Sequence, residues 1–488
     1  MKTLGSGALV ALAAFEVGCF TSSNTPARDA SAPAGLDADI AGDDASLDAG
    51  TVADSGSEAA VAADAGVISE CTPSTGPGTV HQSVNADETW TAAGSPHTLA
   101  SDSTIYATLT IEPCAELLLA PGRTITVRGN GTIVARGTPT KRIHIGAQTP
   151  GQPFTRIRSL GNPLHFAYVD IDGGGDPANT SPYLTGTIDV QGSDSSMPTQ
   201  PLLEVDHVSI QGSGSNGVAL YDGAGFAPGS AELTIGGSAQ YPIGMWSRAV
   251  DGVPTGHYTG NAHDEIMLYG QGLAESIYEN ATLHERGVPY LVGHPAAAGT
   301  LYVGGASGAT GVTTLTIEPG VSVRFKKGGV MYVELFSGTD PARGALIAAG
   351  TTAKPIVFTS DEAAPAAGDW LGIWFGGIPS VTDTLAFARV EYAGGASTSG
   401  SASCPLPGMP APNPDAAIRI FGVPAGQFVT NTTIVASAAH GIDRGYVSDV
   451  KQDFLATNTF SGIALCDQTY PGGMSVSCPA PVDVPCPK

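Results

Sequence analysis

Thr108-Leu109-Thr110-Ile111-Glu112-Pro113 is repeated letter for letter at Thr314-Leu315-Thr316-Ile317-Glu318-Pro319. Upstream, Gly94-Ser95-Pro96-His97 answers Gly287-Val288-Pro289-Tyr290. Downstream, GTIVARGTPTKRIHI (131–145) answers GALIAAGTTAKPIVF (344–358), and FAYVDIDGG (166–174) answers FARVEYAGG (387–395). SIQGSGSNGV (209–218) then answers TIVASAAHGI (433–442). Five blocks in one order are an internal duplication. The reading is two tandem diverged modules, residues 73–270 and 271–488.

Inside each copy, short β-branched runs alternate with period two and stop at Gly, Pro or Asn. Thr108-Leu109-Thr110-Ile111 and Thr124-Ile125-Thr126-Val127 are the clearest. No long segment has helical period, so the chain is all-β, a sandwich or a solenoid. The stretches Thr314 to Phe325 (TLTIEPGVSVRF), Gly344 to Ser360, Gly368 to Phe375 (GDWLGIWF) and Val390 to Gly395 (VEYAGG) decide between the two. Together they resemble right-handed parallel β-helix (pectate-lyase-like) proteins of bacterial surfaces. The first copy carries Cys114 in place of a glycine, and Pro153-Phe154-Thr155-Arg156 where GDW stands in the second. The resemblance implies a right-handed parallel β-helix solenoid, each coil pairing its backbone with its neighbours. It implies little about function, because one fold hosts many.

The N-terminus reads as an export signal, residues 1–19. Lys2 supplies a positive start, and Leu4 to Phe15 is apolar but too short to span a bilayer. Gly18-Cys19 after such a run resembles the lipobox of bacterial lipoproteins, which implies lipid attachment at Cys19. That pattern has an aliphatic residue three before the cysteine, where this chain has Glu16. Residues 20–72 form an Ala/Asp/Ser/Gly tether. Between 20 and 70 it holds 10 acidic residues, one Arg and one aromatic, too little apolar surface to offset the cost of ordering. The expected address is therefore outer membrane or cell surface, lipid-anchored, or else secreted. Any membrane contact is through the lipid alone.

A formal charge of −24 excludes nucleic acid and anionic membrane as electrostatic partners. Of seven cysteines, Cys19 is assigned to lipid, and Cys71, Cys114, Cys404, Cys466, Cys478 and Cys486 are disulfide candidates. Proximity ranks Cys478–Cys486 first, leaving Cys71–Cys114 and Cys404–Cys466. No CxxC or zinc spacing is present, and no metal or other cofactor is expected.

Catalytic motifs are missing. The single Asp-Asp pair, Asp43-Asp44, falls in the tether, and Ala439-His440-Gly441 matches only the His-Gly of the GHG element of β-helix hydrolases. Arg324 and Arg389 read as a solvated outer face. The densest polar run, His257 to Glu265, reads as a metal-ligand cluster or as a turn feeding a strand at Ile266. Period two puts Trp370 and Trp374 on one strand face, either an exposed platform for sugar rings or packing buried beneath residues 361–368. Matching insertions, Asp176 to Gln200 and Ala396 to Pro414, either share one binding side of the solenoid or are disordered decoration. The expectation is a non-enzymatic envelope or surface protein binding polysaccharide or another surface component, with Trp370 and Trp374 as the candidate contacts. A polysaccharide lyase or glycoside hydrolase with unrecognised residues is the alternative, and a structural spacer a third.

Overall fold

The structure, a computed structural model, describes residues 69–472 apart from 73–75, 179–184, 194–197, 271–275, 295–296, 305–310, 335–342, 406–411 and 450–451. The chain divides into two units, Met1–Ala63 and Asp64–Lys488, and the described residues all lie in the second. The signal sequence, Cys19, nearly all of the tether, and Cys478 and Cys486 lie outside the described residues.

The second unit is a parallel β-helix. Almost every pairing is parallel, and the described helices are two 3-10 turns, Ala92–Gly94 and Ser247–Gly252. Each coil lays down three short strands, on sides 1, 2 and 3 in that order. The coil Glu116–Leu119, Thr124–Val127, Thr132–Arg136 stacks under Ile143–Ala147, Arg156–Leu160, Leu164–Ala167 in register. Alternation turns every second residue inward, where like sits on like. On side 2 one inward ladder reads Ile125, Ile157, Ile188, Val218, Ile243, Ile266, Tyr290, Val323, Phe358, Val390 and Ile434. All eleven are buried. At roughly 1.5–3 kcal/mol per buried aliphatic or aromatic side chain, such ladders are the main favourable term.

That ladder crosses the boundary between the copies, because Ile266–Tyr269 of the first pairs directly with Tyr290–His294 of the second. The crossing also turns the second copy by one side. The blocks at 116–119 and 143–147 lie on side 1, whereas their counterparts, Ser322–Phe325 and Ile356–Ser360, lie on side 2. The two insertions therefore occupy different corners. The first joins side 1 to side 2, between Val169–Asp172 and Gly186–Gln191; the second joins side 2 to side 3, between Ala388–Glu391 and Ala416–Ile420. The expectation of one shared side is corrected: equivalence in sequence does not survive the rotation between copies.

Register also corrects one block match. Ile145 pairs with Ile171, and its counterpart Phe358 pairs with Val390, so Ile171 rather than Val169 corresponds to Val390. The sequence match was two residues out. A slip of two keeps every side chain on its own face, so hydrophobic pattern alone does not detect it.

Candidate functional site

Both tryptophans are buried, with Trp370 0 % and Trp374 2 % exposed, so neither is a surface platform. Trp370 precedes the strand Gly372–Phe375 and turns into the core. There it stacks on Phe325 with centroids 4.2 Å apart and donates its indole N–H to the Glu391 carbonyl at 2.7 Å. Gly372 between them has φ 119°, and a Cβ there would meet the Ala417 carbonyl oxygen at 2.5 Å. This bend separates two residues that an ideal strand would place on one face. Trp374 does face outward, on a side-3 ladder that reads Tyr302, Tyr332, Trp374, Arg419, Asp443. Val330, Phe421, Tyr332 and Leu371 pack against it, and the Arg419 guanidinium lies 4.2 Å over its ring.

The matching ladder in the first copy reads Thr126, Arg158, Asp189, Ala219 on side 2. Its buried charge is Asp189, which accepts from Arg156 at 2.7 Å and from the Tyr221 hydroxyl at 2.8 Å. The second copy buries Arg419 at that rung instead, with Asp443 one rung on. Each copy thus buries a charged side chain on this ladder, a carboxyl in the first and a guanidinium in the second.

The polar run at 257–265 is the turn that feeds the strand Ile266–Tyr269, as one of the two sequence readings had it. Asp264 accepts the backbone N–H of Asn261 at 2.8 Å and of Gly260 at 3.2 Å, closing the turn at Gly260. His263 stacks on Tyr241 at 4.8 Å. Glu265 points along side 2 to Arg324, which donates at 2.7 Å. Lys326 pairs with Asp361 one rung beyond. Asp361 in turn lies close enough to Glu265 for its charge to act on that carboxyl. These residues, with Gly287, Val288 and Pro289, line one open pocket at the corner between sides 1 and 2, where the copies join.

Glu265 is largely buried, and its carboxyl is held well above the usual carboxylate range. Burial is the first cause, the charge and hydrogen bond of Asp361 come next, and Arg324 offsets them only in part. Planar acceptors, a guanidinium, an ammonium and an imidazole thus converge on one concavity. Among the described residues no group of three or more His, Cys, Asp or Glu is placed to hold a metal ion. His440 is buried, and its Nδ1 accepts the Cys466 N–H at 3.2 Å, facing no cleft residue of this site. Arg389 pairs with Glu391 on the outer face.

The pocket was hidden in the sequence because Glu265 and Asp361 lie far apart along the chain. Arg324 was assigned to the solvated face, yet its partner is only 8 % exposed. Coil length and register would have found it: Arg324 sits one rung beyond Leu291 on the ladder of Met267.

Cys71 and Cys114 form a disulfide, closing the start of the solenoid onto its second coil. Cys404 and Cys466 are also disulfide-bonded. A bond between Cys404 and Cys466 themselves is not among the disulfides of the described residues.

Residues 299–404 match the family model of the pectate-lyase-like β-helix domain. That span covers Arg324, Lys326, Asp361 and both tryptophans, and leaves Glu265 outside it. No curated protein and no solved structure matches the chain.

Proposed function

We propose that this chain is an exported cell-envelope β-helix, lipid-anchored through Cys19, that binds polysaccharide without cleaving it at the corner pocket between its two copies. The observation that carries this reading is the pairing of Arg324 with Glu265 and Lys326 with Asp361 on adjacent rungs of one open concavity. Fixed planar donors and acceptors of this kind match the hydroxyls of a sugar chain. The ring of His263 beside them supplies an apolar face. The Cys71–Cys114 bond supports an oxidising compartment and hence export.

An enzyme is favoured by one feature, a carboxyl with a raised pKa in a cleft. Its geometry argues the other way. Glycosidase carboxyls stand about 5–5.5 Å apart in retaining enzymes and about 6.5–9.5 Å in inverting ones, both facing the scissile bond, whereas here each is engaged by a cation, Glu265 by Arg324 and Asp361 by Lys326. The test is to screen the purified chain on a glycan array and incubate every hit with it overnight. Binding with no new reducing ends and no unsaturated products is expected. Product formation that Glu265→Gln abolishes would replace the binder with an enzyme.

A further inference from the structure

A second buried polar assembly lies on side 3, in contact with residues 397–401 of the second insertion. Residues 396–404 read Ala-Ser-Thr-Ser-Gly-Ser-Ala-Ser-Cys, without one large apolar side chain to anchor them. They nonetheless lie against Arg419 and Asp443, and Arg419 in turn covers the ring of Trp374. The Arg419 guanidinium sits 4.2 Å over the Trp374 ring and 4.6 Å over Phe421. Its Nη1 donates to the Ser397 hydroxyl at 3.3 Å and its Nη2 to the Gly400 carbonyl at 2.8 Å. Asp443 accepts the Ser401 hydroxyl at 2.8 Å and the Thr469 hydroxyl at 3.0 Å. Arg419 and Asp443 approach one another only to 3.9 Å, and Arg419 Nε has no hydrogen-bond partner though the residue is fully buried.

A guanidinium and a carboxylate packed for stability face each other at close range and satisfy every donor. Here each instead turns to hydroxyls and a carbonyl of the strap, over an indole. Those are the contacts a polyol makes on an aromatic floor: hydroxyl to carboxylate, hydroxyl oxygen to guanidinium, ring above ring. The floor is also continuous with exposed surface, because Trp374 follows Tyr332 and Tyr302, which are half-buried and stack at 5.1 Å on consecutive rungs. The strap is held at its far end by Ala402 N–H to the Gly445 carbonyl, Cys404 N–H to the Tyr470 carbonyl, and the disulfide at Cys404.

We propose that residues 396–404 are a lid seated in a second oligosaccharide site, with its serine hydroxyls standing where sugar hydroxyls would sit on Arg419 and Asp443, beside Trp374. The site would take a neutral oligosaccharide running along the solenoid axis from Tyr302 toward Asp443. The ligand class rests on the carbohydrate reading above; the lid itself does not.

The test uses the full chain carrying Ser397→Ala and Ser401→Ala together, with Trp374→Phe in each background to assign the fluorescence. Acrylamide quenching of Trp374 should rise several-fold in the double variant while the thermal midpoint and disulfide content stay near wild type. Titration with cellohexaose and maltohexaose, two neutral hexamers, should show at least one bound several-fold more tightly by the double variant. Arg419→Lys in that background, which keeps the charge but loses the planar fork, should remove the gain. If the double variant folds poorly, wild type under mild dithiothreitol, which frees the Cys404 end, supplies the same comparison. Unchanged quenching in both comparisons would overturn the lid. An exposed indole with no gain for either hexamer would overturn the ligand site. Asp361→Asn should leave the quenching and the gain intact, so failure of the corner pocket reads separately.

Discussion

Asp383 sits in the second copy with Oδ1 accepting the Leu346 N–H at 2.7 Å and Oδ2 without a partner among the described residues. Burial pushes its carboxyl up to about 7. The folded protein therefore prefers it protonated. Its contribution to stability is complete below its ordinary value of 3.8 and is lost as pH rises through about 7. His440 has the opposite sign. Burial pushes it down to about 4, so its contribution is complete above 6.5 and is lost as pH falls through about 4. Between those limits the two slopes oppose. Relative to wild type, Asp383→Asn should add a slope that climbs with pH across this range, and His440→Gln one that declines. Each full swing is on the order of 3 kcal/mol. Urea midpoints measured at about pH 4.5 and about pH 6.5 read both; slopes of reversed sign would show that these groups do not titrate as their burial implies.

At the scale of a strand, Trp370 shows what a local rule misses. Alternation alone places it with Trp374, and an ideal strand would keep it there. The bend at Gly372 sends it inward onto Phe325 instead. Trp370→Ala should lower stability by about 3–5 kcal/mol, as truncation of a core Trp does, and leave glycan binding by the folded fraction unchanged. Loss of binding at unchanged stability would restore the platform. Most of the fold was legible for the same reason that this detail was not. Repeated blocks and period two report faces and spacing, and a solenoid is built from those two quantities. They do not report register between distant coils, which is why the match of 166–174 with 387–395 slipped by two and why Glu265 and Asp361 were not joined. The buried Arg419–Asp443 pair was hidden likewise, since the matching rungs of the first copy hold Asp189 and Ala219.

For the whole molecule, the continuous inward ladder of side 2 makes the copies parts of one stack, each coil supported by its neighbours. The far-UV spectrum should be β-dominated, with helix far below the third typical of globular chains. Non-reducing peptide mapping should find Cys71 joined to Cys114, and Cys404 and Cys466 oxidised. With no Cys404–Cys466 bond among the described residues, the cross-links expected are from these two to Cys478 and Cys486; a Cys404–Cys466 peptide pair would contradict that. Detergent-phase partitioning that disappears in Cys19→Ala is the expectation for the anchor, and equal partitioning of mutant and wild type would leave a secreted protein.

The central claim, that the corner pocket between the copies is where this protein meets polysaccharide, is tested most directly by calorimetric titration of an array-selected glycan into wild type, Arg324→Ala and Asp361→Asn. These changes remove a donor that is 42 % exposed and half of the carboxyl pair, so folding should persist in both. The account expects affinity to fall several-fold or more in each variant, about 1 kcal/mol or above for a lost charge-assisted contact, with midpoints of unfolding little changed. Full-strength binding by both variants would contradict it.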